Sequence, residues 1–182
     1  LDHERAPFFL RQANKEGWDT YRLNIAHYDY GIDNEAEINA RIAETVREMR
    51  RRGYARVYLN GQSRGAWQIL GAAQASDLAI DGAFIMVPAA HGRAETWDGR
   101  TNPRYADSDA DFRELIAPLG RYRLFFGFFR GDQYDPGGRA EAIGELHGDR
   151  VGESIFVLDR PPDLAGHGAT WHRAFDGLYA RC

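Results

Sequence analysis

The 182 residues make a chain of single-domain length, enough to bury a sizeable core. Hydrophobic residues at 43% and charged residues at 27% are ordinary globular proportions and exclude a disordered chain. A formal net charge of −4 gives no electrostatic pull toward nucleic acid or an anionic membrane, and no apolar run approaches the ~18 residues of a membrane span.

The lone cysteine, Cys182, excludes an intrachain disulfide, leaves no CxxC or zinc spacing, and leaves the compartment open. Lys15 is the only lysine among 23 lysine and arginine residues, a bias that reads as a high-GC genome rather than a functional signal. The chain shows neither an initiator Met nor a signal-peptide pattern.

In chain order, residues 7–17 read as a helix, with Pro7 suited to its first turn and Gly17 to its end. Residues 19–28, rich in β-branched and aromatic side chains, read as a strand. A helix follows over 33–53, where Ile38, Ile42, Val46 and Met49 fall in one apolar stripe. Asp33 or Asn34 caps its start, and the run Arg50, Arg51, Arg52 is a solvated helix end rather than a nucleic-acid patch. Then come a strand at 55–60, a helix of small residues at 64–76, and a strand at 82–90, apolar throughout as a strand covered on both faces should be. Residues 91–111 are polar and aperiodic, a long loop or short cap. Strands at 121–129 and 154–159 alternate with helices at 136–148 and 169–182. The alternation implies one α/β domain over 1–182, a mostly parallel, doubly wound sheet with helices on both faces.

Between the strand at 55–60 and the helix at 64 stands Gly61-Gln62-Ser63-Arg64-Gly65. Strand, G-x-S-x-G and helix together make a nucleophile elbow, a tight corner that lifts a serine hydroxyl above the sheet edge and needs small neighbours. The alternative is a Gly-rich turn with a structural serine. A serine hydroxyl attacks a carbonyl only if a base takes its proton and an acid orients that base. Both residue types occur in loops after later strands, where parallel sheets gather their reactive groups: Asp132 and Asp135 in "RGDQYDPGG", and His167 in "AGHGA". Asp132 is also open to reading as a turn-former, and His167 as an ordinary loop histidine.

These three segments resemble the α/β-hydrolase superfamily, over nearly the full length of the chain. The resemblance implies Ser63 as nucleophile, His167 as base and Asp132 as acid, with Asp135 in reserve because the acid of this family often stands four positions before a proline. It places the first oxyanion donor at the backbone N–H of Arg64, with Gln62 and His91 flanking the site as oxyanion or substrate-binding candidates. His91 reads equally as a solvated loop histidine. The implied activity is cleavage of a carboxylic ester or thioester through an acyl-enzyme, with a small-molecule ester as partner, and no cofactor or metal is expected. The other reading is a non-catalytic binding or structural module of the same fold.

His3, His27, His147 and His172 read as ordinary, and the aromatic run Phe125, Phe126, Phe128, Phe129 reads as a buried strand. The mix of Trp97, Tyr105, Arg93, Arg100 and Arg104 within 91–111 points to a polar or sugar-bearing substrate, or to a solvated surface loop. In this superfamily a central strand precedes the first helix, and its loop donates the second oxyanion N–H. The sequence starts at about that helix, so the strand is expected from residues upstream of Leu1 or from a partner chain.

Overall fold

The computed structural model describes residues 8–23, 35–74, 78–119, 121–135 and 137–179. Among these, four parallel strands lie side by side in sequence order: β1 (Tyr58–Gln62), β2 (Gly82–Met86), β3 (Arg123–Phe128) and β4 (Ile155–Asp159). Gln62, Met86, Gly127 and Leu158 share one register line, so the four strands end level and their following loops meet along one rim.

The helices are α1 (Phe8–Lys15), α2 (Glu35–Arg51), α3 (Arg64–Ala72), α4 (Ser108–Ile116), α5 (Arg139–His147) and α6 (Arg173–Tyr179). A sheet that adds parallel strands always in one direction returns each right-handed crossover over the same face. Accordingly α3, α4 and α5 cover one face, and α2 packs along α3. That core joins Ala66, Trp67 and Leu70 of α3 and Phe112 and Ile116 of α4 to Ile85, Leu124, Phe126 and Ile155 of the sheet. The opposite face carries Phe84, Met86, Phe125 and Leu158, packed with Leu10 of α1 and Phe175 of α6. The aromatic run of β3 divides between the two: Phe126 and Phe128 enter the larger core, Phe125 and Phe129 the smaller, and all four are buried. Each such ring contributes about 1.5–3 kcal/mol by leaving water.

Several expectations shift, each for a local reason. Residues 19–23 form no strand, and 24–28 lie outside the described residues, as do the cap candidates Asp33 and Asn34. β1 starts at Tyr58 rather than at 55 because the backbone before it is committed elsewhere. Arg50 binds the carbonyls of Tyr54 and Ala55, and the Val57 N–H goes to Asp81. β2 stops at Met86 because Val87 turns to φ 43° and Pro88 has no N–H to give the ladder. The stretch 91–111 is not aperiodic. It holds a small antiparallel bridge between Glu95 and Thr101, a 3₁₀ turn at Pro103–Tyr105 and the start of α4. Helix α4 was hidden by its acidic first turn, which favours the positive end of the helix dipole; Ser108, Phe112 and Ile116 form its buried stripe. The last helix is interrupted, since His172 is extended between a 3₁₀ turn at Ala169–Trp171 and α6.

Among the described residues no helix is long and apolar enough to cross a membrane.

Candidate active site

The corner after β1 turns on Ser63, whose φ of 57° and ψ of −125° lie where a non-glycine residue is strained, at a cost on the order of 1–3 kcal/mol. Neighbouring backbone holds it there. The Ser63 N–H donates to Met86 O at 2.9 Å, and the Ser63 carbonyl accepts from Trp67 at 3.1 Å and from Ala89 at 3.2 Å. Ser63 occupies the N-cap position of α3, yet its hydroxyl makes no capping hydrogen bond. A serine at a helix start ordinarily spends its oxygen on the second or third N–H; this one does not.

The two glycines of the corner are not equivalent. A Cβ on Gly61 would stand 2.6 Å from the backbone carbon of Gly65, so the chain can fold back only if residue 61 has none. A Cβ on Gly65 would meet nothing within 4 Å. The expectation that side chains on both sides would collide therefore applies to Gly61 alone.

The ladder between β3 and β4 continues past their ends, with Arg130 bridged to Ala165 and the Gly166 N–H donating to Arg130 O at 2.7 Å. This pairing carries the two following loops along together and delivers His167 to Asp132. Nδ1 of the imidazole lies 3.0 Å and 2.9 Å from the two carboxylate oxygens. The Asp132 side chain is only 1% exposed, so little water competes for the contact. Its Oδ1 also accepts the Tyr134 N–H at 2.8 Å. The imidazole is left with Nε2, which is shielded from solvent and has no hydrogen-bond partner among the described residues.

Gln62, the residue before the serine, joins this group to the corner. Its Nε2 donates to the His167 carbonyl at 2.8 Å, and its Oε1 accepts the Trp171 indole N–H at 2.7 Å. Both ends of the amide are thus engaged by the histidine loop.

Asp135, only three residues from Asp132, faces a different partner. Its Oδ1 lies 3.9 Å from Nε of Arg139, a guanidinium that is fully buried and also donates to Pro88 O and to Ser108 Oγ. Burial pushes the Asp135 carboxyl up from its ordinary value, against the opposing pull of Arg139. The structure brings Asp132, and not Asp135, to the imidazole.

His91 is not a solvated loop histidine. Its Nε2 lies 2.7 Å from Asp111, and its ring stands edge-on to Trp67 at 5.2 Å. It lines a groove of about 310 Å³ with Glu35 and Leu115. The Arg64 side chain turns to Glu35 at 2.9 Å, which leaves the backbone N–H of residue 64 as the group beside the serine. His147 is buried against the Ile116 carbonyl, and His172 accepts the Ala174 N–H near the start of α6; His3 and His27 lie outside the described residues. In the 91–111 segment Trp97 is 91% exposed with the Arg93 guanidinium 4.0 Å over its ring, whereas Tyr105 is half-buried and its phenol is pushed up to about 12 by that burial.

Reading the sequence missed Tyr134, whose ring lies against His167, as well as Trp171 and Arg139. For Tyr134 a signal existed: an aspartate two positions earlier commonly accepts the backbone N–H of residue i+2. For Trp171 and Arg139 no local pattern announces partners so distant in the chain.

No protein-family model matches the chain, and no curated protein matches it. Among solved structures it is similar to MGS-MChE2, an alpha/beta hydrolase enzyme from the metagenome of sediments from the lagoon of Mar Chica, Morocco. The TM-score is 0.51 at 16% identity, over 79% of this chain and 68% of that one. The chain has an α/β fold. At that identity the likeness concerns the fold alone; what the rim can do rests on its own geometry.

Proposed function

We propose that this chain is a serine hydrolase that cleaves carboxylic esters or thioesters, with Ser63 as nucleophile, His167 as base and Asp132 as the acid that orients it. The observation that carries the reading is the pairing of His167 Nδ1 with a buried Asp132 while Nε2 is left without a partner, in a loop hydrogen-bonded to the residue before a strained serine. An imidazole held at Nδ1 by a carboxylate is fixed in the tautomer whose Nε2 accepts a proton.

In this reading Ser63 Oγ attacks the carbonyl carbon and His167 Nε2 takes the hydroxyl proton. The charge that forms on the carbonyl oxygen meets the Arg64 N–H and the N-terminal end of α3. Collapse of the tetrahedral intermediate breaks the bond to the alcohol or thiol, which leaves with the proton from His167. A water molecule, deprotonated by the same imidazole, then releases the acid from the serine. His91 stays outside these steps, since its own acceptor is Asp111.

The test is hydrolysis of p-nitrophenyl acetate and butyrate and of an acyl thioester by the folded chain. The expected result is turnover that Ser63→Ala lowers by at least about 10³-fold. A cooperatively melting parent that hydrolyses none of the three would overturn the proposal in favour of a non-catalytic module.

A further inference from the structure

The ring of Tyr134 lies 4.2 Å from the His167 imidazole, centroid to centroid, with the planes 36° apart. A single carboxylate oxygen sets up this contact. Oδ1 of Asp132 accepts the Tyr134 backbone N–H at 2.8 Å and lies 3.0 Å from His167 Nδ1. The turn made by Asp132 on its own chain therefore fixes both the edge of the imidazole and the backbone from which the phenol ring reaches its face. The loop is secured from two further sides: the Asp135 N–H donates to the Asp132 carbonyl at 3.3 Å, and the Ala94 N–H donates to Gln133 O at 2.9 Å.

An aromatic face carries negative electrostatic potential and attracts a cation placed over it. Neutral imidazole gains little from that field, but the imidazolium formed when the base takes a proton gains more. Asp132 acts on the same charge from the ring's edge and Tyr134 from its face. Among the described residues, these are the titratable groups with a hydrogen bond or ring contact to the imidazole. Gln62 and Trp171, behind the His167 carbonyl, are neutral, and Asp135 faces Arg139.

We propose that Tyr134 is a positioning residue for the base: its ring face keeps the His167 imidazole turned to Asp132 and favours the charged form that appears as the proton is taken. The effect on turnover rests on the serine-hydrolase reading; the effect on the imidazole does not.

The experiment is a proton-NMR titration of the His167 imidazole, assigned by its loss in His167→Ala, in the parent, Tyr134→Phe and Tyr134→Leu, alongside the pH profile of kcat/KM for p-nitrophenyl acetate. Phenylalanine keeps the aromatic face and is expected to reproduce the parent. Leucine keeps the cover but not the π face, so the His167 midpoint moves to lower pH. The acid limb of the profile moves with it, and kcat falls about three- to thirty-fold while KM changes little. A midpoint in Tyr134→Leu that stays put or rises would overturn the inference, because cover alone would then explain the contact. Should Tyr134→Leu fail to fold, Tyr134→Met carries the same expectation. The two readings fail separately. A shifted midpoint in a parent without esterase activity sinks the hydrolase and keeps the ring contact. An active parent with an unshifted Tyr134→Leu sinks only the ring contact.

Discussion

Among the described residues stand two histidine–aspartate pairs, and the shorter contact is the more exposed one. His91 meets Asp111 through Nε2 at 2.7 Å; His167 meets Asp132 through Nδ1 at 2.9 and 3.0 Å. The aspartates differ far more than the distances do, since the Asp111 side chain is 47% exposed and that of Asp132 only 1%. Water screens the first pair and competes for its oxygens, so its contribution is small whatever its length. The second pair acts where screening is weak. The nitrogen left over differs as well. On His91 it is Nδ1, enclosed beside Trp67; on His167 it is Nε2, in a loop tied by Gln62 to the serine corner. Contact length alone does not mark a reactive pair. In the proposed reading, burial of the carboxylate, the identity of the remaining nitrogen and the tie through Gln62 to the Ser63 corner do.

The largest difference between the pairs is expected at the two carboxylates. Asp132→Asn is expected to lower kcat for p-nitrophenyl acetate by about 10³–10⁴-fold, because an amide no longer fixes the tautomer with Nε2 open. Asp111→Asn is expected to change it by less than about threefold. Comparable losses in both would mean that the buried pair has no special standing. A smaller effect is expected at the corner that holds Ser63. Gly61→Ala places a Cβ against backbone and is expected to lower stability by about 1–3 kcal/mol in urea unfolding. Gly65→Ala has room and lies in the first turn of α3, so it is expected to be neutral or stabilising by up to about 1 kcal/mol. If the two alanines behave alike, the close approach at residue 61 does not hold the corner together.

The α/β fold was legible because its signals are local. Apolar strands alternate with helices, and a glycine-flanked serine marks one of the corners. That Asp132 rather than Asp135 meets His167 was hinted at only by the spacing to Pro136; Asp135 is instead turned to Arg139, a cation whose burial no periodicity announces. Helix α4 escaped notice because its first turn is acidic and its buried positions Ser108, Phe112 and Ile116 are too few to form a clear stripe in a polar stretch. The start of β1 was misplaced because Arg50 and Asp81 claim the backbone ahead of it, a tertiary preference that overrides strand-like composition. The role of Gln62 depends on a residue 105 positions away. Side chains that bridge distant loops are written nowhere in a local pattern.

In the proposed mechanism His167, and not His91, takes the proton of Ser63. The decisive experiment compares the rate of covalent labelling by a fluorophosphonate, with the adduct located by mass spectrometry, in the parent, His167→Ala and His91→Ala. The expected outcome is an adduct on Ser63 in the parent, formed at a similar rate in His91→Ala and at least about 10²-fold more slowly in His167→Ala. An adduct elsewhere, no adduct on the folded parent, or equal slowing in the two histidine variants would contradict it.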